Sequence, residues 1–444
     1  MAETETNQEV VDQETVLTKE QEAVLNEEQE ITEAVNQVVS PEAYSDPKYT
    51  FGRKVIRIPL SKNSLNEKNI SSYLPYILNT HFMNVEQIKH LKGIYTGEDS
   101  NIWKKKREDS EETSNIFIEE GHPFRIVEFK KGYLYGEDVT YSFINDTACS
   151  DDLTYLNKFM EEQGRASKNV EIAEDFLTGG TGIRFILPKQ KDAYFDPMKH
   201  SPFEIYNLDY YNAFIVYSSN YTKEKLFGGI LTTIDSSDPN NVEYELMIYD
   251  HQYAYVYSIG GSSGGTLNHP MFKYKQRHYI GCCNFVEYKT NKSRISPIER
   301  VESLFDAANS ISSYSIDNVI DFVNAILVIY NQDMKMSTYK KVMKNKAMIL
   351  KTNDPNKQAD AKYLVNALNL GDVQTKYDAL VSLAYCICGV PLATTQSTSG
   401  GDTGDARELG GGWSNADNIA KQEEKGLIEA EKEMIDICLS ICKK

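Results

Sequence analysis

Four short stretches hold residue types that could do chemistry. Gly260-Gly261-Ser262-Ser263-Gly264 satisfies G-x-S-x-G, the spacing that holds a hydrolase serine on a sharp turn from strand into helix. The next residues, TLNHPMFKYKQRHYIG, read instead as a loop and another strand, and the only downstream histidines are His269 and His278. A hairpin tip is the better reading, with a serine hydrolase at Ser262 as the rival. Ser399-Gly400-Gly401-Asp402-Thr403-Gly404-Asp405-Ala406 is glycine-rich enough to cradle a phosphate. A P-loop, however, needs G-x-x-x-x-G-K-[ST] directly after a strand; here no Lys lies between Gly389 and Ala420, and a helical pattern precedes.

Cys438 and Cys442 share a helix face at i,i+4, but no His after His278 completes a local metal site, so neither metal nor cofactor is expected. The lysines at 335, 340, 341, 344, 346 and 351 form the sharpest positive patch, with no acid from Met334 to Asn353. Such a patch is either a solvated helix face or an electrostatic footprint for a partner protein or passing nucleic acid.

Composition narrows these choices. Against 47 basic residues stand 65 acidic ones, a formal net charge of −18 in 444 residues. Tight nonspecific duplex binding draws on Lys and Arg displacing counterions, so this balance disfavours it except at local patches. Seven cysteines form no framework: Cys282 and Cys283 are adjacent, and Cys386 and Cys388 fall in one predicted helix. That usage suits a reducing cytoplasm. The N-terminal stretch lacks the basic and apolar regions of a signal peptide, and no apolar run reaches the roughly 20 residues that span a bilayer. A soluble chain made in the cytoplasm is expected.

Residues 1–47 hold thirteen acids and one base, Lys19, with no aromatic before Tyr44. This predicts a mostly disordered acidic tail. From Tyr49 to Ser296 the pattern is α+β. NISSYLPYILNTHFMNVEQIKHLKGIYTG reads as two short helices, the second capped at Gly93. PFRIVEFKKGYLYGEDVTYSF reads as a helix giving way to a strand, and strands are predicted at TGIRFILP, FEIYN, NAFIVYSS, YELMIYD and YAYVYSI.

Ser296 as N-cap, Pro297 at the first helical position and Glu299 completing a capping box predict a helix to about Ala325, roughly 40 Å long. Its apolar stripe includes Val301, Phe305, Ala308, Ile311, Ile316 and Val319. AILVIYN and AMILK then read as strands around a short basic helix, and AKYLVNALN as a further strand or turn. A second helix runs from Val373 to Cys388, carries Val373, Tyr377, Leu380, Val381 and Ala384 on one face, and stops at Gly389. A charged helix begins near Asn415.

This order resembles the portal proteins of tailed bacteriophages, in their siphophage branch. LKGIYTGEDSNIWKKKR and KKGYLYGEDVTYSF resemble the family's "KG...Y" and "K..Y..GEPVTF" segments, and FEIYNLDYYNAFIVYSS is similar to the strand pair before its stem. SLFDAANSISSYSIDNVIDFVNAILVIY resembles the stem helix running into the clip, and GGDTGDA the end of the tunnel loop. The chain departs from the family pattern at His122-Pro123, near where an Asn-rich stretch is usual.

The resemblance implies an α+β portal-type subunit: acidic tail 1–48, wing 49–296, stem helix 297–325, small α/β clip 326–372, second stem helix 373–388, tunnel loop 389–407, and a long C-terminal helix within 408–444 with a minimal crown or none. It implies a ring of about a dozen subunits at one capsid vertex of the virion. Double-stranded DNA would pass without sequence specificity, and the partners would be the major capsid protein, scaffold, terminase and a head-tail adaptor. No catalysis and no membrane are implied.

On this mapping Thr398, Ser399, Gly400, Gly401, Asp402, Thr403, Gly404 and Asp405 face the DNA, and Lys335, Lys340, Lys341, Lys344 and Lys346 contact partners at the clip. A loop against moving duplex should be small, polar and free of strong phosphate contacts, which would act as brakes. The alternative outside this family is a soluble binding module using Lys335 to Lys351.

Overall fold

The computed structural model describes residues 51–104, 116–142, 150–189, 196, 199–235, 243–260, 270–323, 326–330, 360–364, 370–392 and 413–443. The chain divides into two compact units: Met1–Lys89 with Tyr135–Ser296 and Glu423–Lys444, and His90–Leu134 with Pro297–Gln422.

The first unit is built on two sheets. One has the order β1-β4-β5-β6-β7-β8, from β1 (Ile56–Ile58), β4 (Ala213–Ser218), β5 (Lys225–Asp235), β6 (Glu243–Tyr249), β7 (Tyr253–Ile259) and β8 (Met271–Arg277). β1 pairs parallel with β4 and the others form an antiparallel meander. The second sheet, β3-β2-β9, is antiparallel, from β2 (Thr181–Pro188), β3 (Phe203–Leu208) and β9 (Phe285–Lys289). Ile183, Phe185, Ala213, Ile215 and Phe285 fill the space between the sheets. On the other face of the larger sheet, Ile70, Leu74, Ile77 and Leu78 of helix α1 (Glu67–Thr96) pack on Phe214, Leu246, Tyr255 and Tyr257.

Helix α1 corrects the expectation of two short helices. Pro75 lies inside it, yet buried residues on both sides of Pro75 share one core, which offsets the proline's cost of about 3 kcal/mol. The stop is also not Gly93. Gly97, at φ 80°, takes the left-handed position and donates to the Ile94 carbonyl at 3.2 Å, while Asp99 returns to the Gly93 carbonyl at 3.0 Å.

Helix α2 (His122–Tyr135) falls where expected, but no strand follows it among the described residues. The Tyr141 backbone is served instead by Asn157, whose side chain accepts from its N–H at 3.4 Å and donates to its carbonyl at 3.3 Å. Helices α3 (Ser150–Glu162) and α4 (Arg165–Gly179) and strands β1, β5 and β9 were not legible from the pattern, whereas the five strands expected from alternation and the one after TLNHP are present.

A buried polar cluster closes the first unit. Arg184, 1% exposed, donates to Asn207, Asn169 and the Tyr288 hydroxyl at 3.0 Å each. Tyr288 and Tyr141 in turn each donate to the Glu431 carboxylate at 2.8 Å. Glu431 lies on the last helix, α7 (Trp413–Cys442), beside the buried Met434 and Cys438.

The expected N-cap at Ser296, the residue that ends a segment of the first unit, is displaced. The Ser296 hydroxyl donates to the Leu177 carbonyl at 2.7 Å, the next residues form turns, and helix α5 runs Glu302–Val323, about 33 Å. Strands β10 (Ile326–Tyr330) and β11 (Asp360–Leu364) pair antiparallel. Helix α6 runs Leu370–Cys388, three residues longer at its start than the pattern indicated. Its buried face carries Val381 and Ala384 as expected, together with Tyr385 and Cys388.

Candidate functional site

The tunnel-loop residues Thr398 to Asp405, the lysines at 335, 340, 341, 344 and 346, Ser262, the strand AMILK and the acidic tail lie outside the described residues. The structure instead shows what holds the ends of the two segments. Residues 331–359, which carry the lysines, leave and return across a ladder that pairs Tyr330 with Asp360 and Ile326 with Leu364.

Residues 393–412 leave from the end of α6 and return at the start of α7. Gly389 ends α6 at φ 69°, and Val390 donates to the Tyr385 carbonyl at 2.9 Å. A Cβ at Gly389 would come 2.4 Å from Ile419 of α7, so only glycine lets the helix end lie this close. Asn415 ties the returning chain to the Cys386 carbonyl at 3.3 Å. The described chain on either side of the segment is therefore held at one place.

Helices α5 and α6 are joined by a polar centre in which Glu120 accepts from Ser312 of α5, from Tyr377 of α6 and, at 2.7 Å, from His122 Nε2. Burial opposes the charge on Glu120, but these three donors outweigh it and hold its carboxyl at about 2. The same carboxylate, after burial, pushes the Tyr377 hydroxyl up. The His122 ring stacks on Phe305 at 5.3 Å and meets the Tyr385 ring edge at 5.7 Å. The departure at His122-Pro123 thus sits where three helices converge.

Before Glu120, residues 116–120 run along α5 in the opposite direction. Ile116 N–H donates to Asp317 at 3.1 Å, Ile118 to Ser313 at 3.0 Å, and Glu120 to Asn309 at 3.3 Å. Two residues of extended chain advance about 6.6 Å and four of helix about 6 Å, so alternate N–H groups meet every fourth side chain. Asn309, Ser313 and Asp317 are buried. Their polar i,i+4,i+8 spacing inside an apolar helix is the signal that could have found this contact, because buried polar side chains need partners.

A second set of contacts fixes the start of α5. The His90 ring lies between Asp99, 3.0 Å from Nδ1, and Glu302, 3.2 Å from Nε2, while Asn101 donates to Glu302 and Asp306. The Glu302 hydrogen bond raises the His90 pKa against the opposing effect of partial burial, and Asp99 adds to the rise.

As for the rival chemistry at Ser262, the next described element after β7 is strand β8, hydrogen-bonded back onto β7. A nucleophile elbow requires a helix there. No group of metal-ligating side chains occurs among the described residues. No described helix is long and apolar enough to cross a membrane.

Residues 74–444 match the family model of phage portal proteins, SPP1 Gp6-like. No curated protein matches the chain. Portal proteins are structural components of the phage capsid vertex that serve DNA packaging and form ring oligomers. With the model spanning most of its length, the chain belongs to the SPP1 Gp6-like family of phage portal proteins.

Proposed function

We propose that this subunit lines a ring channel through which double-stranded DNA is packaged and ejected. Residues 49–296 serve as wing, α5 and α6 as stem helices, 326–372 as clip, 389–407 as tunnel loop, and 408–444 as the C-terminal helix region. The tying of both loop ends at Cys386 and Asn415 carries this reading. The sequence between those ends offers small polar side chains with Asp402 and Asp405, which repel phosphate.

The lysines at 335, 340, 341, 344 and 346 then face terminase during packaging and a head-tail adaptor afterwards. Ring mass by light scattering and symmetry by negative-stain imaging test the assembly, with rings of about a dozen copies expected. Asp402→Lys with Asp405→Lys should leave rings intact and lower the DNA packaged per head. Undiminished packaging removes the loop from this role. Charge reversal at Lys340, Lys341 and Lys344 should weaken terminase or adaptor docking, and unchanged docking would reject that assignment.

A further inference from the structure

A cyclic ring needs two different faces on each copy, because its interface is heterologous. In the unit of residues 90–134 and 297–422, two exposed faces with large apolar side chains answer that need. One is a ridge on α6, where Leu383 and Ile387 are 50% and 45% exposed, with the exposed Cys386 between them. From Ala379 to Cys388 the helix carries no charge. The other is an aromatic shelf on α2 and the start of α7: Phe129 stacks on Tyr133 at 5.7 Å and meets Trp413 at 5.9 Å. Tyr133 and Trp413 are 42% and 43% exposed.

Beside Tyr133 sits Gly132, inside the helix, where an added Cβ would meet no atom. Glycine within a helix is disfavoured against alanine, and nothing in its own chain requires it here. Its absent side chain leaves a notch in the shelf suited to a projecting aliphatic group. Charge points to a second copy as the occupant. Chains with a net charge of −18 repel one another when set side by side, so they should meet where neither is locally negative: the ridge carries no charge, and α2 carries Arg125, Lys130 and Lys131 against Glu128 alone.

We propose that the Leu383/Ile387 ridge of one copy seats on the Phe129, Tyr133 and Trp413 shelf of the next, over Gly132. This rests on the ring reading of the proposed function and names the surfaces that close the ring. It also puts each intersubunit contact at the root of the loop between α6 and α7, next to Cys386 and Asn415.

The full-length chain tests this by cross-linking, in a Cys442→Ser background that removes the other exposed thiol among the described residues. Gly132→Cys, oxidised with copper-phenanthroline, should join Cys386 of a neighbour and give a ladder of products beyond dimer on denaturing gels. Adding Cys386→Ser should abolish the ladder. Tyr133→Cys serves as a second position should Gly132→Cys fail to fold. Leu383→Lys with Ile387→Lys should lower the ring fraction at least tenfold while the thermal melt of the monomer is kept. Rings that form without a ladder and tolerate both lysines overturn the proposal and leave the ring reading standing, as does a product that stops at dimer. Absence of rings from the wild-type chain, even with capsid protein and scaffold present, overturns the ring reading itself.

Discussion

Ile118 donates its backbone N–H to the buried Ser313 hydroxyl at 3.0 Å, the middle rung of three between residues 116–120 and helix α5. Ser313→Ala leaves that part-buried N–H without its acceptor. Urea unfolding should show a loss of about 1–3 kcal/mol. Ser315→Ala, whose hydroxyl only returns to the Ile311 carbonyl at 2.7 Å on its own helix, should cost less than about 0.5 kcal/mol. Equal effects at both positions would mean the rung contributes nothing.

Glu120→Gln should loosen α5 from α6, because one carboxylate serves donors from both. The folded carboxyl sits at about 2 against an ordinary 4.5, so its contribution is present above about pH 4.5 and is lost as pH falls towards 2. The wild-type chain should therefore lose stability across that window more steeply than Glu120→Gln. Parallel acid-denaturation curves for the two proteins would reject this assignment.

For His90 the sign is opposite. Neutral imidazole has one N–H and cannot donate to Asp99 and Glu302 together, so the observed geometry belongs to the cation. With its folded pKa raised above 6.5, the stabilisation is complete below about pH 6.5 and disappears as pH rises through the folded value. His90→Gln should flatten stability measured between about pH 5 and pH 9. A wild-type profile no steeper than that of the variant would count against it.

Gly389→Ala combines a left-handed backbone position with a Cβ 2.4 Å from Ile419. A cost of about 1–3 kcal/mol is expected, together with faster amide exchange at Val390 and Asn415, since the variant acts on the loop root. Unchanged exchange there would show that the root does not depend on this approach.

Glu431→Ala should destabilise the first unit by about 3 kcal/mol, because it strands Arg184 and two tyrosine hydroxyls in the interior. Glu431→Leu should cost no less, since the guanidinium stays buried. Substituting Glu431 and Arg184 together by apolar residues should recover part of the loss. If the double substitution is worse than the sum of the singles, the pair is not coupled in this way.

By itself the sequence determined what local periodicity and end signals can encode. Alternation of Tyr, Ile, Val and Phe marked β2, β3, β4, β6 and β7, and Gly389 marked the end of α6, because a strand face and a left-handed cap are each written in a few adjacent residues. The order of these elements also sufficed to indicate the family, since that order is a property of the chain.

What only the tertiary structure decided were features whose cause lies far along the chain. Pro75 sits within one helix because residues on both sides of it face the same sheet. Ser296 gives its hydroxyl to Leu177, over a hundred residues away. The polar stripe Asn309, Ser313 and Asp317 breaks the apolar pattern of α5, and its meaning appears only when residues 116–120 lie along it. Buried polar groups must be satisfied wherever the partner comes from, and a linear pattern records the need without naming the partner.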